Sequence, residues 1–112
     1  LLTKDHSLLA KWMAMGEKAR ECKTPYPYKN VITKAIGTHP KSNPDIAICQ
    51  YEPTDLFLLC TDGLSDVLST EEMEKILCDT PKLSLAAEKL IQLSKIKGSH
   101  DNITVLIVQK TP

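Results

Sequence analysis

The run Leu56-Phe57-Leu58-Leu59-Cys60, entered from Asp55 and closed by Thr61-Asp62-Gly63, constrains this chain more than any other stretch. Consecutive apolar residues leave no polar face, the pattern of a strand covered on both sides. It is therefore expected to be the most buried strand of the domain. Val31 to Ile36 is largely β-branched and meets Gly37, and Ile46 to Tyr51 is an apolar run between Pro44 and Pro53, so both read as further strands. Ile103 to Val108 reads as the last one.

Helices are spelled by different signals. Leu8, Leu9, Trp12 and Met13 form a helical stripe with Ser7 able to cap its start and Gly16 near its end, and Trp12 and Met13 are expected in the core. Ser69-Thr70-Glu71-Glu72 is a capping box, with Met73, Ile76 and Leu77 on one face, which predicts a helix over about 70 to 78. After Pro81, Ala86, Leu90 and Leu93 mark a second helix, finished by Lys95, Lys97 and Gly98. Between 18 and 30 the pattern dissolves around Pro25 and Pro27, which exclude a regular helix and leave a loop or flap. Strands and helices mix without strict βαβ alternation, so the fold class is α+β with mainly antiparallel sheet.

The chain has 112 residues, enough for one domain that buries roughly two-thirds of its unfolded surface. With 14 basic against 14 acidic residues it has no field to attract phosphate backbones or anionic lipid, so no nucleic acid and no membrane partner is expected. Its apolar runs fall far short of the ~20 residues of a spanning helix. Cys22, Cys49, Cys60 and Cys78 have no zinc-knuckle spacing and read as reduced thiols, Cys49 and Cys60 as small hydrophobes within strands, which favours the cytoplasm. The opening residues carry no initiating Met and no signal-peptide core, so a piece of a longer protein is expected.

Chemistry concentrates at two corners. Asp62 ends an apolar strand, Gly63 permits a sharp turn, and Asp66 follows four residues after Asp62. If that turn is helical the two carboxylates share a side, which repels unless a cation lies between them. Hard oxygen donors without adjacent His or Cys select Mg2+, Mn2+ or Ca2+. The second corner, Gly98-Ser99-His100-Asp101-Asn102, sets another Asp at a strand terminus, with Asn102 available to hold its neighbour's carboxylate. Spacing alone also fits a plain turn at Asp62-Gly63, a solvated cap at Asp66 and an ordinary loop at 98 to 102. His6, His39 and His100 share no spacing and read as surface or loop residues, and no Gly-rich phosphate loop is present.

Four ordered segments together resemble the C-terminal half of a bacterial-type metal-dependent protein phosphatase of the 2C (PPM) family. Leu2 to Ser7 is similar to its LTxDHS, Asn30 to Gly37 to its NVITRALG, Asp55 to Asp66 to its DxFLLCSDGLxD, and Gly98 to Val105 to its GSxDNITV. The resemblance implies part of an antiparallel β-sandwich flanked by helices, with residues 1 to 112 forming the C-terminal portion of one domain and 8 to 30 a helix plus flap beside the active site. It implies two or three Mg2+ or Mn2+ ions in the complete domain. Asp62 and Asp101 are the implied ligands of the essential pair, Asp66 serves a third, weaker site with Asp62, and Gly63 and Asn102 support them. The implied activity is hydrolysis of phosphoserine and phosphothreonine in proteins, substrates of a Ser/Thr kinase, by metal-activated water without a side-chain nucleophile.

Some family features are absent. Lys34 stands where Arg is usual, Tyr26 where a His often stands, and Arg20 lies in the flap and cannot replace the phosphate-binding Arg of the upstream half. The chain alone is therefore expected to be inactive and, with apolar strand faces uncovered, to self-associate. An aspartyl-nucleophile phosphotransferase would need Asp at position 60, which is Cys. The alternative is a non-catalytic PPM-like regulatory or partner-binding module.

Overall fold

Apolar runs become strands only where a second run supplies hydrogen-bond partners, and this condition sorts the chain. The computed structural model describes residues 1–16, 28 and 30–110, in two units, Leu1–Cys49 and Gln50–Pro112. The flap reading over 17 to 27, with Arg20, Cys22 and Tyr26, lies outside the described residues.

In the first unit, α1 spans Leu8–Ala14, and the Ser7 hydroxyl accepts from the Ala10 amide as its N-cap. The strand expected over 31 to 36 is not formed. Ser7 pairs with Ile32 in an isolated bridge, with the Leu8 amide donating to Val31 and the Thr33 amide to His6. Pairing stops because the partner segment turns into α1. On the other side, the Thr38 amide and hydroxyl both donate to the Ala35 carbonyl, closing a turn around Gly37 at φ +88°. Residues 46 to 51 likewise form no strand, and Ile48 is 97% exposed. Cys49 is thus an exposed thiol outside any strand, and Met13 is exposed on α1, while Trp12 is half-buried.

The second unit contains an antiparallel ribbon of β1, Leu56–Cys60, and β2, Val105–Gln109, in register from Leu56 opposite Gln109 to Cys60 opposite Val105. Between them run a short helix α2, Asp62–Ser65, then α3, Thr70–Asp79, and α4, Leu83–Ile96. The capping box forms in both directions, Glu72 amide to Ser69 hydroxyl and Ser69 amide to Glu72 carboxylate. Gly98, at φ +90°, stops α4 in a conformation that glycine adopts without strain.

Leu64, Leu68 and Leu90 form the buried centre, with Leu58, Met73, Ile76, Leu77, Val105 and Ile107 packed against it. Leu58 and Ile107 are cross-strand partners and share the covered face. The reverse face carries Phe57, Leu59, Leu106 and Val108, and Leu59 and Leu106 are 54% and 55% exposed. The expectation that β1 is covered on both sides is therefore corrected: the helices cover one side, and no described element covers the other. Cys60 at the strand end is also an exposed residue, although partial burial raises its thiol pKa.

Candidate metal centre

The antiparallel register places the end of β1 beside the start of β2, so the two acidic corners arise at one end of the ribbon. At the first, the chain enters α2 directly after the strand. The Asp66 amide donates to the Asp62 carbonyl at 2.8 Å, making the turn helical and setting Asp62 and Asp66 one turn apart. Both are exposed. At the second corner, the Asn102 amide donates to Asp101 Oδ1 at 2.6 Å. The support expected of Asn102 for its neighbour's carboxylate thus comes from its backbone.

Gly63 permits the corners to meet. A Cβ there would stand 2.3 Å from the Asn102 carbonyl oxygen and 3.3 Å from Ile103 Cγ1, so any side chain would push the corners apart. The contact is laced by hydroxyls. Ser99 Oγ donates to the Gly63 carbonyl at 2.7 Å, and Thr61 Oγ1 donates to the Asn102 carbonyl at 3.1 Å while accepting from the Thr104 amide at 3.0 Å. Sequence reasoning missed Thr61 and Ser99 as site-builders; the available signal was a hydroxyl residue flanking each Asp corner.

The sequence-read set Asp62, Asp66 and Asp101, with Gly63 and Asn102, is thereby gathered at adjoining corners. Among the described residues no group of three or more His, Cys, Asp or Glu converges as a metal cluster. The donors present are exposed carboxylates, hard oxygen groups of the kind that divalent cations take, beside a junction that admits no side chain at Gly63.

Elsewhere Lys34, the residue in the usual Arg position, donates to Asp45 Oδ1 at 2.9 Å, and His6 Nε2 bonds Asp45 Oδ2. The Lys34 ammonium first, and His6 second, hold the Asp45 carboxyl below its ordinary value. Separated by 39 residues, the His6 and Asp45 pair left no spacing signal to read. Among the described residues no helix is long and apolar enough to cross a membrane.

No family model matches the chain. Individual relatives do. The serine/threonine phosphatase stp of Listeria welshimeri is 38% identical over 109 residues, covering 97% of this chain and 43% of the relative. Protein phosphatase PhpP of Streptococcus pneumoniae is 35% identical over 107 residues, covering 96% and 44%. Among solved structures, the Streptococcus agalactiae serine/threonine phosphatase superposes with a TM-score of 0.86 at 32% identity, covering 98% of this chain and 46% of that one. Stp1 of Staphylococcus aureus gives 0.86 at 29% identity, covering 99% and 44%. The chain thus spans less than half the length of these relatives.

Proposed function

From a chain that matches the C-terminal half of a bacterial PPM-type serine/threonine phosphatase, an α+β fold by its likeness to solved members, we propose that the protein hydrolyses phosphoserine and phosphothreonine in proteins. The observation that carries this is the approach of Gly63 to the Asn102 carbonyl, which joins the Asp62 and Asp101 corners. Asp62 and Asp101 would hold the essential Mg2+ or Mn2+ ions and Asp66, with Asp62, a third. When bound, such ions supply Lewis-acid activation of water toward phosphorus. The chain's own contribution is positional: at one end of the ribbon, α2 carries Asp62 and keeps Asp66 a turn beyond it, and the loop that leads into β2 carries Asp101.

The carboxylates of this half are a partial shell, so the 112 residues alone do not sustain turnover, and the exposed face of Leu59, Leu106 and Val108 drives self-association of the isolated chain. Substrates are phosphoproteins made by a Ser/Thr kinase, and the site of action is the cytoplasm, where the cysteines stay reduced. The test is Mn2+-dependent release of phosphate from a phosphothreonine peptide by the protein at its full encoded length. Asp62→Asn should lower turnover by at least about a hundredfold, Asp66→Asn by less. Wild-type turnover by Asp62→Asn at saturating Mn2+ overturns the proposal, and a full-length protein with no turnover is the non-catalytic PPM-like module instead.

A further inference from the structure

Thr61 occupies the N-cap of α2 with extended backbone, φ −83° and ψ 164°, where a hydroxyl ordinarily accepts from the first helical amides. It makes no such bond. Its hydroxyl is engaged across the chain, donating to the Asn102 carbonyl and accepting from the Thr104 amide, while the Thr61 amide donates to the Thr104 carbonyl at 3.1 Å. The carbonyl that it grips belongs to Asn102, the residue whose own amide holds Asp101 Oδ1. Thr61 itself is covalently joined to Asp62.

We propose that Thr61 is a positioning residue for the cation site, its hydroxyl fixing the Asp101 corner beside Asp62; the assignment rests on the metal-dependent reading above. Serine would keep the two bonds. Valine has the same shape and neither bond, so it leaves the Asn102 carbonyl and the Thr104 amide without their partner. Outer groups that orient ligands typically change metal affinity by 10–100-fold.

The experiment titrates Mn2+ into the full-length protein, reading free Mn2+ by electron paramagnetic resonance, with amide exchange followed at Thr104. Thr61→Val should bind Mn2+ about tenfold more weakly and speed Thr104 exchange at unchanged helical signal, while Thr61→Ser stays within about twofold of wild type. If Thr61→Val does not fold, Thr61→Ala takes its place with the same expected tenfold loss. Asp101→Asn is the reference arm. Weak binding by Asp101→Asn together with wild-type affinity in the hydroxyl-free variant overturns the positioning role alone, as does a Thr61→Ser protein as weak as Thr61→Val. Wild-type Mn2+ affinity in Asp101→Asn overturns the metal reading itself.

Discussion

The two units spend similar apolar material differently. In Gln50–Pro112, the apolar stripes of the helices find a surface: α3 packs on α4 and the core leucines, α4 lies against β2, and Leu64 and Leu90 are fully buried. In Leu1–Cys49, Ile36, Ile46 and Ile48 are exposed, and among the described residues backbone hydrogen bonding between segments reduces to the pairing around Ser7 and Ile32, beside the side-chain bonds of His6 and Lys34 to Asp45. Hydrophobicity is common to both; what differs is whether a partner segment lies in the same stretch of chain. An apolar run states a demand for burial, and only a partner meets it.

The contrast can be broken most sharply at single leucine and isoleucine positions. Leu90→Ala should destabilise the protein by about 3 kcal/mol or more, because it opens a cavity in a sealed centre, whereas Ile48→Ala should fall within about 0.5 kcal/mol in chemical denaturation. A large loss at Ile48 would mean that the first unit has a core of its own.

Glycines separate the units next. Gly63→Ala should cost about 3 kcal/mol, since its Cβ meets backbone that cannot swing away, while Gly37→Ala, with open space around it, pays only for its positive φ, about 1 kcal/mol. Equal losses in thermal unfolding would contradict the tight junction at Asn102. A smaller effect belongs to the helix start: Ser69→Ala should cost about 1 kcal/mol through loss of the cap.

The finest test is pH. Glu72 is held below the ordinary glutamate value of 4.5, chiefly by the Lys97 ammonium and then by the Ser69 amide. Because the folded value is the lower one, the carboxylate's contribution is complete above the unfolded value and is lost as pH falls through the folded one. Stability followed downward from about pH 5.5 should decline in wild type and more gently in Glu72→Gln. Identical profiles would remove Glu72 from the account.

Sequence legibility followed the same division. The helices at Thr70–Asp79 and Leu83–Ile96 were readable because their signals are local: a capping box, a stripe and a terminal glycine within one element. The runs at 31 to 36 and 46 to 51 misled because β propensity describes a residue's fit to a pleated surface without saying that a neighbour exists. The apolar run of β1 could not distinguish a strand covered twice from one with an apolar face left bare. At the candidate site, Asp62 was read as following a strand end, which it does, and Asp66 as a turn beyond it; Asp101, read as standing at a strand terminus, lies in the bend four residues before β2. The hydroxyl lacing by Thr61 and Ser99 was not legible, since it joins positions 41 and 36 residues from their acceptors.

The pairing of β1 with β2 also has a kinetic side. These neighbouring strands are separated in sequence by all three helices of the second unit, so their ladder is a non-local contact whose closure entropy must be met before any of its bonds form. Packing of α3 against α4 shortens the effective loop, so the ribbon is expected to close after the helical pair has formed, and its Thr61 end, where the acidic corners meet, to close with it. A nascent chain released before residue 105 would own a complete helical pair and Asp62, yet have neither β2 nor a continuous ribbon on which to align it.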